Sequence, residues 1–323
     1  MNGIPLHFIY GRSLGAHISR IDNVDHNWTE FIDGRQVWIL QTYCILKKYY
    51  KNITLGNKPK SGAVNIIHAS DTGFLDKIRN YYFVSIRADK RPVLWSNYEI
   101  VQNKCQEGPK TSYVTHWLQP GLLKRKRRKN KIEKVAFLGA IEQNILRNYP
   151  VEKDLIAMGI SYSGMDRQNW NDYREIDIAL AIRQFGGKDS HPDKPPSKLI
   201  NAWWAEVPLI ASNDSAYAQI GVPGADYITV GSYEEMIGSI AMLQNNPDRY
   251  RQIVQNGIAK RERYSRDSIV NEWVKVFENQ VFPDFERWER LQGAKKIFTT
   301  STRSIVKHWQ RVSYKFMDLY SGR

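Results

Sequence analysis

The 323-residue chain is 42% apolar and 12% aromatic, enough to build two cores of roughly 120–170 residues each, which excludes a mainly disordered protein. Its formal charge is +14, but residues 124–134 hold eight basic and one acidic side chain and residues 291–323 hold seven and one, so these two segments carry +13 of the total. A nearly neutral body with a basic seam and a basic tail argues against nucleic acid as a partner, and Cys44 and Cys105 suit neither a disulfide scaffold nor a metal site.

The first 120 residues carry an α/β pattern. LHFIYG (6–11), AVNIIHAS (63–70), YFVSIRAD (82–89) and SYVTHWL (112–118) are strand candidates, and RQVWILQTYCILKKYY (35–50) has helical periodicity. After the first strand, YGRSLGAHISRIDNVDHNW (10–28) is a loop in which Gly15 permits close backbone approach to an anion. His17, Asp22 and Asp25 follow as candidate catalytic groups; the alternatives are a structural hydrogen bond for His17 and helix caps for the aspartates. His68 and His116 sit in strand-like runs and read as core or cleft-lining.

QPGLLKRKRRKN (119–130) combines a Pro-Gly turn with like charges and predicts an exposed linker. Beyond it, KVAFLG, ISYSG, IALAIR, VPLIAS and DYITV (134–139, 160–164, 178–183, 207–212 and 226–230) read as buried parallel strands separated by helical stretches. Ser232 with Glu235 predicts a capping box, and Asn246-Pro247 predicts a second helix start.

Between the third and fourth of these strands, KPPSKLINAWW opens a helix at Pro195-Pro196, beyond the carboxyl end of a strand finishing at Arg183. The free amides of such a helix start favour an anion; Arg183, Ser197 and Lys198 are placed to bind a diphosphate there. His191 contacts the same ligand or caps a turn. Trp203 and Trp204 read as sheet-helix packing, with base stacking as the alternative. No GxxxxGK[ST] or GxGxxG motif and no zinc spacing is present.

The tail after Pro283 predicts an amphipathic helix. Ile305, Trp309, Val312, Phe316 and Leu319 share one face, with Arg303, Lys307 and Arg311 largely on another. It suits an anionic membrane interface, packing across the N-terminal domain, or both.

KPPSKLINAWWAEVPLIAS and AYAQIGVPGADYITVGSYEEMIGSIAMLQNNPDRYRQIVQNG, with the order K-x-x-x-K-L-x-N-A and a later N-P-x-x-Y helix, resemble the donor domain of GT-B-fold glycosyltransferases of the family 4-like, group 1 type. The resemblance covers residues 132–282 and extends weakly through 115–125. It implies two Rossmann-like domains facing across a cleft: an acceptor domain (1–120), a basic linker (121–131), a nucleotide-sugar-binding domain (132–282) and a helical tail (283–323).

The same resemblance implies a nucleoside diphosphate sugar as donor, a carbohydrate, lipid-linked or protein acceptor, and transfer without metal or other cofactor, in cell-surface polysaccharide, glycolipid or glycoprotein assembly. In many retaining members two glutamates contact the sugar and ribose; the matching positions here are Asp193 and Asn201, so a retaining course does not carry over, although Asn201 can still bond a ribose hydroxyl. A non-catalytic adaptor and a degenerate, nucleotide-binding homologue are the competing readings. Without an apolar run of 18 residues or a leader-like start, the expected location is cytoplasmic, peripheral at the inner face of the membrane.

Overall fold

A computed structural model of the protein describes residues 3–75, 78, 80–126, 131–139, 144–165, 169–187, 190–291 and 293–321. Part of the basic run, 127–130, lies outside the described residues.

The N-terminal domain is one parallel sheet of six strands: β1 (Leu6–Ile9), β2 (Ile53–Gly56), β3 (Val64–His68), β4 (Tyr82–Ile86), β5 (Tyr98–Val101) and β6 (Thr111–Tyr113), in the order β2-β1-β3-β4-β5-β6. β1, β3, β4 and β5 are buried on both faces, with His7, Asn65, His68, Ser85 and Glu99 buried among their apolar residues. Between β1 and β2 the chain forms a π-helical turn, Gln36–Gln41, that continues into the helix α1 (Thr42–Leu46). The wider π turn aims Trp38 at the later cleft and buries it against the core.

The C-terminal domain is a second parallel sheet: β7 (Lys134–Leu138), β8 (Ser161–Met165), β9 (Ile178–Ala181), β10 (Leu209–Ala211) and β11 (Ile228–Thr229), ordered β11-β10-β9-β7-β8. Helices α2 (Val151–Ala157), α3 (Ser197–Ala205), α4 (Ser215–Ile220), α5 (Tyr233–Asn245) and α6 (Pro247–Arg261) cover its faces. The expected caps form: Ser232 Oγ accepts from the Glu235 amide at 3.1 Å while Glu235 reaches back to the Gly231 amide, and Asn246 Oδ1 accepts from the Arg249 amide.

The segment 121–126 is less exposed than a charged linker should be. Gly121, at φ +64°, has no room for a Cβ, which would fall 2.8 Å from the Trp28 ring. Arg125 grips the fully buried Asp177 with Nε and Nη2 at 2.9 and 2.7 Å and lies over the Tyr250 ring. The other Asp177 oxygen accepts the amides of Glu133 and Lys134, so a side chain expected in solvent instead fastens the first strand of the C-terminal domain.

After α6 the chain returns. Helices α7 (Arg266–Val276), α8 (Phe282–Glu289) and α9 (Gly293–Ser321) leave the C-terminal sheet. Ile269, Val270, Trp273, Phe277 and Phe282 join the core of the N-terminal domain, with Trp273 at 6.2 Å from Trp38 and the Tyr82 hydroxyl donating to Asp284 at 2.8 Å. Packing thus groups 266–282, expected at the end of the donor domain, with the first 120 residues. The tail forms the expected helix and packs on the N-terminal domain through its polar side: Arg303 and Gln310 are buried, whereas Ile305, Trp309, Val312 and Phe316 face solvent. The Leu319 side chain lies outside the described residues. No helix among the described residues is long and apolar enough to cross a membrane.

Candidate active site in the interdomain cleft

Parallel sheets gather ligands beyond the carboxyl ends of their strands. Here both sheets aim those ends at one cleft of about 520 Å³. Its N-terminal wall is built from residues at or beyond the ends of β1 (Arg12), β3 (His68 and Ser70), β4 (Ala88, Asp89 and Lys90), β5 (Gln102) and β6 (His116), with Asp33, Arg35 and Trp38 from the loop and helix after β1. The opposite wall is Arg183 beyond β9 and the loop and first turn of α3, Lys194, Pro195, Ser197 and Lys198.

Arg183 is fixed before any ligand arrives. Its Nε donates to Asp214 Oδ2 at 2.8 Å, and its amide donates to Ser212 Oγ at 2.9 Å. Asp214 is wholly buried and also caps α4 through the Ala216 amide. Burial works against the guanidinium charge, but Tyr217 and Asp214 outweigh it and the Arg183 pKa rises. Burial raises the Asp214 carboxyl against the pull of Arg183.

Lys198 differs. Its Nζ lies 4.2 Å from the centre of the Phe137 ring, and among the described residues it has no carboxylate or carbonyl partner. Burial, and then Arg183, outweigh Asp214 and lower its pKa to about 7. The helix it belongs to starts at Pro196 without a side-chain cap, so the amides of Ser197 and Lys198 have no acceptor within the helix. An uncapped helix start, a fixed guanidinium and an unpaired ammonium thus converge on one wall, an arrangement that favours an anion with several oxygens.

On the facing wall, His116 Nδ1 lies 2.8 Å from the Trp117 carbonyl and must carry the proton, leaving a lone pair on Nε2. Burial lowers its pKa, so it is neutral at pH 7. His68 is the opposite tautomer: Nδ1 accepts from the Ser70 amide at 3.1 Å, so the buried Nε2 carries the hydrogen and has no partner within the described protein. Burial, then Arg35, lower the His68 pKa to about 4. This wall therefore holds two neutral imidazoles of opposite tautomer, with the His68 Nε2–H shielded inside the protein. The carboxylates nearby are engaged: Asp33 pairs with Arg12 at 2.9 Å, and Asp89 with Lys194 at 3.3 Å.

The two walls are latched together. Gln102 Nε2 donates to the Asp193 carbonyl at 2.8 Å, and Asn103 Nδ2 donates to the Lys194 carbonyl and to Ser215 Oγ. Gln219 Nε2 donates to Asn103 Oδ1, and its Oε1 accepts the Lys104 amide.

Of the residues singled out from the sequence, Arg183, Ser197 and Lys198 come together in this cleft. His68 and His116, read as core or cleft-lining, line it too, and the remaining candidates lie elsewhere. His17 is exposed and pairs with Glu30 at 3.2 Å; Asp22 is exposed and pairs with Lys47. Asp25 accepts from Arg266 at 2.8 Å and from the Gly121 amide, which makes it a clasp on the interdomain crossing. Gly15 packs against His17, where a Cβ would fall 2.5 Å from the ring. Asn201 is buried and accepts the Gln119 amide at 3.2 Å, so its carbonyl is used within the protein. His191, at φ +50°, sits in a turn closed by the Lys194 amide, outside the lining of the cleft.

The loop 12–30 turned away for a visible reason: Ile18, Ile21 and Val24, at steps of three, are buried in the core and turn the polar residues between them outward. Trp203 fills the core and donates Nε1 to the Asp226 carbonyl; Trp204 lies under Arg261. A larger hollow of about 840 Å³ is lined by Asp25, Trp28, Gly121, Trp204, Arg261 and Arg266. Its charges pair with protein, Asp25 with Arg266 and Arg261 with Glu206, so the smaller cleft with the unpaired lysine is the better candidate. Among the described residues no group of three or more His, Cys, Asp or Glu side chains is placed to hold a metal ion.

No protein-family model and no curated protein matches the chain. Among solved structures it is similar to an α1,3-fucosyltransferase with GDP, with a TM-score of 0.54 at 13% identity, covering 87% of this chain and 93% of that one. It is also similar to Anabaena HepE in complex with UDP (TM-score 0.47, 11% identity, 85% of this chain and 99% of that one) and to TarM (TM-score 0.48, 10% identity, 67% of this chain). The chain spans about half the length of TarM, 55%. The likeness to the fucosyltransferase shows the fold: two parallel α/β domains facing across a cleft, the GT-B arrangement, followed by a C-terminal helix.

Proposed function

We propose that the protein is a glycosyltransferase that moves a sugar from a nucleoside diphosphate to an acceptor hydroxyl in this cleft. The observation that carries the reading is the unpaired Lys198 ammonium beside Arg183 at the uncapped start of α3. The fold is compatible with the reading and does not choose the sugar or the base.

In the reaction the bond between the anomeric carbon and the phosphate oxygen breaks and its electron pair leaves with the diphosphate. Arg183, Lys198 and the helix amides receive the charge that develops, in a site already arranged for it. They supply positive compensation from the chain itself, so the transfer is proposed to need no metal. On the other wall His116 Nε2 takes the proton of the acceptor hydroxyl as its oxygen attacks. A base opposite the leaving group implies inversion. Carbohydrate, lipid-linked and protein hydroxyls all remain compatible with the acceptor wall, as do polysaccharide, glycolipid and glycoprotein assembly as the pathway.

The test is a thermal-shift panel of UDP, GDP, ADP and CMP. One diphosphate should raise the melting temperature, and Lys198→Ala should abolish the rise, because a ligand that binds only the folded state stabilises it. No shift with any nucleotide would refute the donor site. Binding without diphosphate release, when the matching sugar nucleotide is supplied with an envelope lipid extract, would identify a non-catalytic homologue.

A further inference from the structure

Helix α9 buries its polar stripe and exposes its apolar one. Arg303 Nε donates to the Trp95 carbonyl at 2.8 Å and Nη1 to the Tyr81 carbonyl at 3.0 Å. One and two turns on, Lys307 bonds the Leu75 carbonyl, and Gln310 exchanges hydrogen bonds with Pro92 and Leu94. Tyr314 donates to the Pro92 carbonyl, with Arg91 over its ring. These steps of four, three and four keep one face on the domain.

On the other face Phe298 is 75% exposed, Ile305 69%, Trp309 64% and Phe316 57%, with Val312 also exposed. At ~1.5 Å per residue they form a straight apolar ridge of about 27 Å. Leu94, held beside Gln310 and itself exposed, widens it. Exposed His308, Arg311 and Lys315 flank the ridge; the one carboxylate of the helix, Asp318, is bound to Arg91 at 3.0 Å.

We infer that this ridge docks lengthwise in the headgroup region of an anionic lipid bilayer, with Trp309 and Phe316 inserted and Arg311 and Lys315 on the headgroup phosphates. The charges decide the occupant. A second copy laid along the ridge would bring Arg311 and Lys315 against their equivalents with no free carboxylate on the helix to offset them, whereas anionic lipid supplies the opposite charge. A ridge of aromatic and aliphatic side chains between basic flanks is the form that an interfacial helix takes.

The same surface reaches the cleft through one loop: Arg91 holds Tyr314 and Asp318, and its neighbours Asp89 and Lys90 line the acceptor wall. A lipid-borne acceptor follows as a corollary, and that corollary alone rests on the proposed transfer.

The experiment is co-sedimentation of the full chain with phosphatidylcholine vesicles, with and without about one-quarter phosphatidylglycerol. Wild type should pellet with the anionic vesicles. Trp309→Ser/Phe316→Ser and Arg311→Glu/Lys315→Glu should each lower partitioning by about tenfold or more while keeping the wild-type melting temperature and nucleotide response. These two readouts separate failure of docking from failure of the donor site or of the fold. Wild type remaining in the supernatant, or variants that bind as wild type does, would overturn the inference. So would a concentration-dependent dimer in sedimentation velocity that the Trp309→Ser/Phe316→Ser change disperses, since the ridge would then belong to a second copy.

Discussion

Replacing Lys198 with methionine keeps the length and apolar stem of the side chain and removes its charge. In the folded protein the Lys198 pKa lies at about 7, driven down by burial and then by Arg183, against an ordinary value of 10.5. Between those values the unfolded chain holds a proton that the folded chain has released, so wild-type stability rises with pH across that window. Below it both states are charged, and the folded state carries the whole cost of the buried ammonium, ~5 kcal/mol at ~1.4 kcal/mol per unit. Water reaching the cleft screens part of this, so Lys198→Met should gain about 2–3 kcal/mol near pH 6. By about pH 9 the gain should shrink to ~1 kcal/mol, because the wild type now folds with a neutral amine. Urea unfolding of both proteins at the two pH values measures the gap. The same variant should lose the stabilisation given by nucleoside diphosphate, ~2.7 kcal/mol in the wild type at a hundredfold excess over Kd. A variant less stable than wild type near pH 6, or a gap that fails to narrow as the pH rises, would refute the claim that an unpaired, desolvated ammonium faces this cleft.

Arg183→Met should cost about 3–5 kcal/mol in urea unfolding, because it leaves Asp214 buried without its partner; adding Asp214→Asn should recover part of the loss. His116→Ala should lower kcat by ~100-fold or more and leave the nucleotide-induced thermal shift unchanged; an equal loss of nucleotide binding would show that the residue shapes the donor pocket instead. Asn103→Ala removes three hydrogen bonds between the walls and should weaken nucleotide binding about tenfold, measured by calorimetry, if closure assembles the site. Asp25→Ala should lower stability by about 1–2 kcal/mol through loss of the Arg266 and Gly121 contacts, with turnover retained; a collapse of kcat would restore it as a catalytic candidate.

Much of the fold was legible because buried parallel strands write themselves as apolar runs. β3, β4, β7 and β9 fall within the stretches read from the sequence. β2 escaped because it is a half-buried edge strand of four residues after a run of lysines, and β5 because Glu99 interrupts its apolar character. Glu99 is tolerated there because it accepts the Val93 amide at 2.7 Å.

The wall that holds Arg183 and Lys198 was legible because it is local: a strand end, two prolines and a lysine in one helical turn. The facing wall was legible only in His68 and His116, read as core or cleft-lining, because its residues sit at or beyond the ends of five different strands and meet only in three dimensions. The end of YFVSIRAD carried the same signal as Arg183, a charged residue just past a buried strand, and pointed to Asp89. In the tail, Arg303, Lys307, Gln310 and Tyr314 already share one face by spacing. Which of the two faces is covered depends on backbone carbonyls of residues 75–95, and no local pattern announces those acceptors.

The return of α7 and α8 means that the first lobe is built from two stretches of chain, whereas the second is a single stretch between them. The segments near residues 119–126 and 261–266 form a double strap, and a double strap opens about one line where a single tether would swivel. Any opening of the cleft is then expected to be a jaw-like motion about an axis past Asp25 and Arg266. A gene cut after residue 282 would strip α9 from the first domain while keeping α7, whereas a cut near residue 265 would deprive that domain of Trp273, Phe277 and Phe282, the wedge beneath its sheet.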